Sequence, residues 1–272
     1  MATAPRGSFE PPPPPTSHEG RQLAWLDVVK GVGLWAVSVL LLIFVPVVAV
    51  LPYIIYRVAT VGPEAFTPEA LAADKWVIFY SVLGIFPAHL ITFAVAWFVI
   101  SEGGRRPFWE AVGWKWPGPP RRVTLISVAI ALGLYGLAFG LTTIYGGNKT
   151  DLDRLIESSV YTRVATALVA FATAPLIEEL IYRGVLYPAV EKVTGMAFAI
   201  IVVSLLFAGV HVWQYKDNVV VILVITALSF TLTAARALTG TMLPAFIIHL
   251  VFNGIQSVLI VVGGFIDQDA LK

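Results

Sequence analysis

Apolar residues in this chain come in blocks of about twenty, the length a helix needs to cross ~30 Å of hydrocarbon at ~1.5 Å per residue. Backbone polar groups have no water to bond in that layer, so such blocks must be helical. Composition agrees: 58% of residues are hydrophobic and 13% charged, against about 25% charged in a soluble domain. The expected fold is therefore all-α, a multi-pass transmembrane helix bundle of about seven to eight spans enclosing a polar intramembrane cavity. The spans are expected near residues 28–56, 76–100, 123–145, 162–187, 196–213, 219–235 and 243–265, with an eighth if residues 184–195 dip into the bilayer. Pro46 and Pro52 should kink the first.

Outside the blocks the chain divides into three parts. Residues 1–22 include Pro11 to Pro15 and read as a disordered, Pro-rich cytoplasmic tail with too little apolar surface to fold. Residues 23–122 hold two transmembrane helices and a segment with Arg105, Arg106, Trp109, Trp114, Lys115, Trp116, Arg121 and Arg122. Trp and Arg together at a span boundary place that segment at the membrane interface. Residues 123–272 hold the remaining spans. Basic residues near span ends slightly favour the side bearing this interfacial loop, which makes the amino terminus cytoplasmic and the protein a multi-pass component of the cell membrane. A net charge of +1 offers nothing to nucleic acid, so the expected partners are the lipid bilayer and a peptide or membrane-protein substrate. The absence of cysteine excludes disulfides, thiolate metal ligands and a cysteine nucleophile.

Against this apolar background the sequence ATAPLIEELIYRG, residues 172–184, stands out. Of seventeen acidic residues only Glu178 and Glu179 fall well inside an apolar block, and Arg183 is the one basic residue expected there. Each ionised side chain at bilayer depth costs roughly 3 kcal/mol or more. On an α-helix Glu179 and Arg183 lie about 40° apart and can pair, while Glu178 points about 140° away from Arg183. This geometry makes Glu179–Arg183 an internal ion pair and leaves Glu178 free for chemistry. The competing reading is a buried cluster that only fixes helix packing.

Two later blocks carry further polar groups. Phe207 and His211 share one helix face, and so do His249 and Asn253. Alone, His211 could meet the interface, and His249 with Asn253 could be hydrogen-bonding glue between helices. His89 reads as a packed or pore-facing histidine. With Glu178 the set becomes a carboxylate, two imidazoles and a carboxamide on three helices, which is equipment for activating water. By simple counting His211 should fall on the order of 10–15 Å from the level of Glu178 and His249. A tilt, a broken helix around residues 213–218, or a dip after Pro188 should close that gap.

EELIYR, FAGVH and HLVFN, in that order, fit Glu-Glu-x-x-x-Arg, Phe-x-x-x-His and His-x-x-x-Asn. The chain thereby resembles the CAAX prenyl endopeptidase and bacteriocin-processing family (CPBP or Abi proteases) over roughly residues 123–264. The resemblance implies a helical intramembrane endopeptidase with its protease core in residues 123–272. Glu178 would be general base on a water with help from His211, and His249 with Asn253 would stabilise the oxyanion. Glu179, Arg183 and Phe207 would support the site. Metal dependence stays open. Glu178, His211 and His249 could hold Zn²⁺ or another divalent metal, or Glu178 could deprotonate water unaided. The substrate stays open as well: a bacteriocin precursor, a signal remnant or a membrane-anchored regulator. No His-Glu-x-x-His, intramembrane Asp pair or Gly-x-Ser-x-Gly occurs, so other protease chemistries lack their residues. A non-catalytic scaffold or immunity protein of the same fold, or a small proton-coupled transporter, are the alternative functions.

Overall fold

The computed structural model describes residues 18–269, and every regular element among them is helical. Seven helices are long and apolar enough to span a bilayer: Gly20–Val61, Lys75–Ile100, Pro120–Tyr145, Val160–Thr194, Met196–Tyr215, Val219–Thr239 and Leu243–Gly263. They are called here the first to seventh spans. Residues 184–194 continue the fourth span instead of forming an eighth, and Gly195 is the turn that ends it. The first helix starts at His18, inside the segment read as tail, and residues 1–17 lie outside the described residues.

The first helix, His18–Val61, is continuous through Pro46 and Pro52. The second span is the broken one, divided at Gly84 into Lys75–Leu83 and Ile85–Ile100. A Cβ at Gly84 would lie 2.6 Å from Pro46 Cα and 3.0 Å from Ala49 Cβ, so the missing side chain is what lets the two backbones meet. Ion pairs mark which span ends share a face. Lys192 meets Asp27 at one end (2.7 Å), and Arg57 meets Asp74 at the other (3.3 Å). Exposed pairs of this kind add little stability.

Residues 107–114 do more than lie at the interface. Phe108 and Val112 are buried in the same cluster as Leu180, Tyr187 and Met242. Gly113, at φ +75°, presents its carbonyl to the Met242 amide at 2.8 Å. Gly184 permits this approach, since a Cβ there would meet Met242 Sδ at 3.2 Å and Val112 Cβ at 3.3 Å. The turn between the sixth and seventh spans thus rests on this segment within the protein, with Thr241 and Met242 buried.

Candidate active site

The fourth span is not a uniform α-helix. It runs α over Val160–Leu168, π over Val169–Thr173, α over Ala174–Glu179, π over Leu180–Leu186, and α again over Tyr187–Thr194. The irregularity expected around residues 213–218 or after Pro188 is therefore located in the helix that carries the glutamates, and π turns of this kind recur at functional sites. Proline shapes the first π segment. The Ala174 amide bonds the Val169 carbonyl, five residues back. The next residue, Pro175, has no N–H to give the Ala170 carbonyl. Asn253 Nδ2 donates to that carbonyl instead, at 3.1 Å. His89, buried on the second span, meets Thr173 Oγ1 with its Nδ1 at 2.8 Å and so holds the same segment from another side.

The second π segment changes the angle expected between the acids and the arginine. A π turn takes more residues than an α turn and so rotates less per residue, which brings Glu178 closer to the face of Arg183 than a uniform α-helix would. One imidazole then reaches both carboxylates. His249 Nδ1 donates to Glu179 Oε1 at 2.9 Å, and its Nε2 lies 3.6 Å from Glu178 Oε2.

Glu179 and Arg183 are fully buried and paired at 3.0 Å, as the spacing predicts. Their surroundings extend well beyond a pair. Arg183 Nη2 donates to the Ser229 carbonyl (3.0 Å), Ser229 Oγ (2.9 Å) and Thr233 Oγ1 (3.2 Å), and its Nε to Thr233 Oγ1 (3.3 Å). Ser204 Oγ donates to Thr233 Oγ1 at 3.0 Å. The guanidinium carbon sits 4.7 Å from the centre of the Phe207 ring, a cation–π contact. Arg183 thus ties the fourth span to the fifth and sixth, and Glu179 carries the link to the seventh through His249. Sequence reasoning missed Ser204, Ser229 and Thr233. The signal available was two hydroxyls, Ser229 and Thr233, one turn apart on an apolar helix.

Glu178 differs from its neighbour: its side chain is 24% exposed, against 0% for Glu179. His211 lies on the fifth span with its ring 4.7 Å from that of Phe207, which is in turn 5.9 Å from the ring of His249. Its Nδ1 donates to the Phe207 carbonyl (2.8 Å), which leaves Nε2 free to accept in the neutral ring. No hydrogen bond joins His211 to Glu178 among the described residues. Counted from the turn at Gly195, Glu178 precedes it by seventeen residues and His211 follows it by sixteen, so the two stand at similar separations along consecutive spans.

The metal set Glu178, His211 and His249 does not fit this arrangement. Among the described residues no three His, Asp or Glu side chains are grouped to hold an ion. Glu179 Oε2 is buried without a partner, yet the guanidinium on the same carboxylate is a cation that a metal ion would have to face. Two hollows of about 490 and 230 Å³ lie elsewhere, one beside Arg121 and Arg122 and one between Leu134 and Phe252, and hold none of these residues.

Fold and site together define a polytopic membrane protein with a charged, hydrogen-bonded cluster at mid-bundle. Residues 160–255, the stretch that carries that cluster, match the family model described as Rce1-like, type II CAAX prenyl endopeptidase Rce1-like. The CPBP resemblance read from the three motifs is borne out over this stretch, and the match supports a CAAX-type membrane protease in general. No curated protein and no solved structure matches the chain.

Proposed function

We propose that the protein is an intramembrane endopeptidase that hydrolyses a peptide bond with water activated by Glu178. The observation that carries this reading is the division of labour between adjacent carboxylates. Glu179 is sealed and committed to Arg183 and His249, whereas Glu178 is accessible and faces an imidazole nitrogen. In this scheme Glu178 takes a proton from water as the new C–O bond forms at the substrate carbonyl. The same proton passes to the leaving amine nitrogen as the C–N bond breaks. His211, with Nε2 free, accepts the other proton of the water in a hydrogen bond and orients it.

Position fits His249 as the oxyanion donor: Glu179 holds the ring through Nδ1, and Nε2 is turned to the side of Glu178, where the substrate carbonyl would lie. Asn253 gives one Nδ2 hydrogen to Ala170 and has the second for the oxyanion. The substrate class is a peptide held at the membrane by a lipid or an apolar segment, of which the prenylated CAAX terminus in the family's description is one form.

Purified protein in lipid nanodiscs, offered prenylated and unprenylated membrane peptides, tests this reading. Glu178→Gln keeps the shape and removes the base, so cleavage should fall by about 10²–10⁴-fold. Undiminished cleavage by Glu178→Gln would remove the general-base assignment.

A further inference from the structure

The second π segment repeats the logic of the first with a different donor. The Tyr187 amide bonds the Tyr182 carbonyl, five residues back, and the next residue, Pro188, has no N–H. The Arg183 carbonyl is left without a donor from its own helix, in a protein interior where an unpaired carbonyl is costly. Arg236 Nε, on the sixth span, donates to it at 3.0 Å. Arg236 is 9% exposed and lies with its guanidinium carbon 5.7 Å from the centre of the Tyr187 ring. A Cβ on Gly113 would come within 3.6 Å of its Nη2, so residues 107–114 wall it in from below. Ser229, Thr233 and Arg236 form one stripe at i, i+4 and i+7, and all three bond Arg183.

An arginine in the last turn of a helix commonly complements the negative end of that helix. That role does not call for Nε–H aimed at the backbone of another helix, opposite a proline. We propose that Arg236 is a positioning residue: it supplies the hydrogen bond that Pro188 withholds, holds the second π segment in register, and thereby fixes Glu179 and the ring of His249. Asn253 does the same for the first π segment, so the six residues Ala174–Glu179 are gripped at both ends by side chains from other spans. The function assigned to this geometry rests on the protease reading, but the positioning itself does not.

The test therefore uses no substrate. The chain has four histidines, so ¹⁵N-histidine-labelled protein in nanodiscs gives a simple spectrum in which His249→Asn identifies the Nδ1–H signal bonded to Glu179. Arg236→Gln should shift or broaden that signal. Adding Pro188→Ala, which returns a backbone N–H opposite the Arg183 carbonyl, should restore it. An unchanged signal in Arg236→Gln overturns the proposal, and so does a perturbed signal that Pro188→Ala fails to restore. Should Arg236→Gln not fold, the double variant is read directly: a folded protein with the wild-type signal supports the proposal, and an unfolded one overturns it. A restored signal alongside absent peptide cleavage would sink the protease reading alone.

Discussion

Glu179 and Arg183 illustrate how a buried charge pair constrains its surroundings. Removing one partner leaves the other ionised with no water to solvate it, which costs about 3–5 kcal/mol. Glu179→Ala should therefore lower the melting temperature sharply in detergent. Replacing both residues, as Glu179→Leu with Arg183→Met, should recover much of that loss because no charge is then stranded. Recovery will be partial, since Ser229 and Thr233 lose their shared partner. Thermal melts of the three proteins check both statements. The pair itself was legible because four-residue spacing is a local property of helices. That Glu179 Oε1 also receives His249 was not, because that contact crosses seventy residues.

Among the elements, the fourth span carries the largest difference between expectation and structure. An apolar pattern with Pro175 and Pro188 indicates a helix under strain but not how it relaxes. Two π segments are the solution here, and the second turns Glu178 toward the face of Arg183. Glycine positions give an independent check on packing between elements. Gly84→Ala places a methyl group against the Pro46 backbone, which cannot move aside as a side chain could, and should destabilise by about 1–3 kcal/mol. Gly136→Ala, with nothing within 4 Å of the new methyl, should be neutral or slightly stabilising. Equal melting temperatures for the two variants would contradict the contact between the first and second spans.

Across the whole molecule, seven spans put the two ends of the described chain on opposite faces. The protein has no cysteine, so single substitutions can be labelled without background. Arg105→Cys and Lys192→Cys should react with an impermeant maleimide from one side, and Lys149→Cys and Lys216→Cys from the other. Whether the first pair is cytoplasmic tests the orientation expected from the basic residues. Labelling of Lys149→Cys from the same side as Arg105→Cys would mean that the third span does not cross.

The sequence by itself determined the class of fold and the identity of the charged cluster. Block length and hydropathy leave helices as the only backbone solution in lipid, and the expense of intramembrane charge makes Glu178, Glu179 and Arg183 conspicuous in a single chain. Only the tertiary structure decided where those groups point and what completes them. Orphaned carbonyls at Ala170 and Arg183 follow from the π segments, and their donors, Asn253 and Arg236, come from spans far along the chain. The physical reason is that periodicity fixes a face within one helix, whereas satisfying a proline-orphaned carbonyl is a contract between helices.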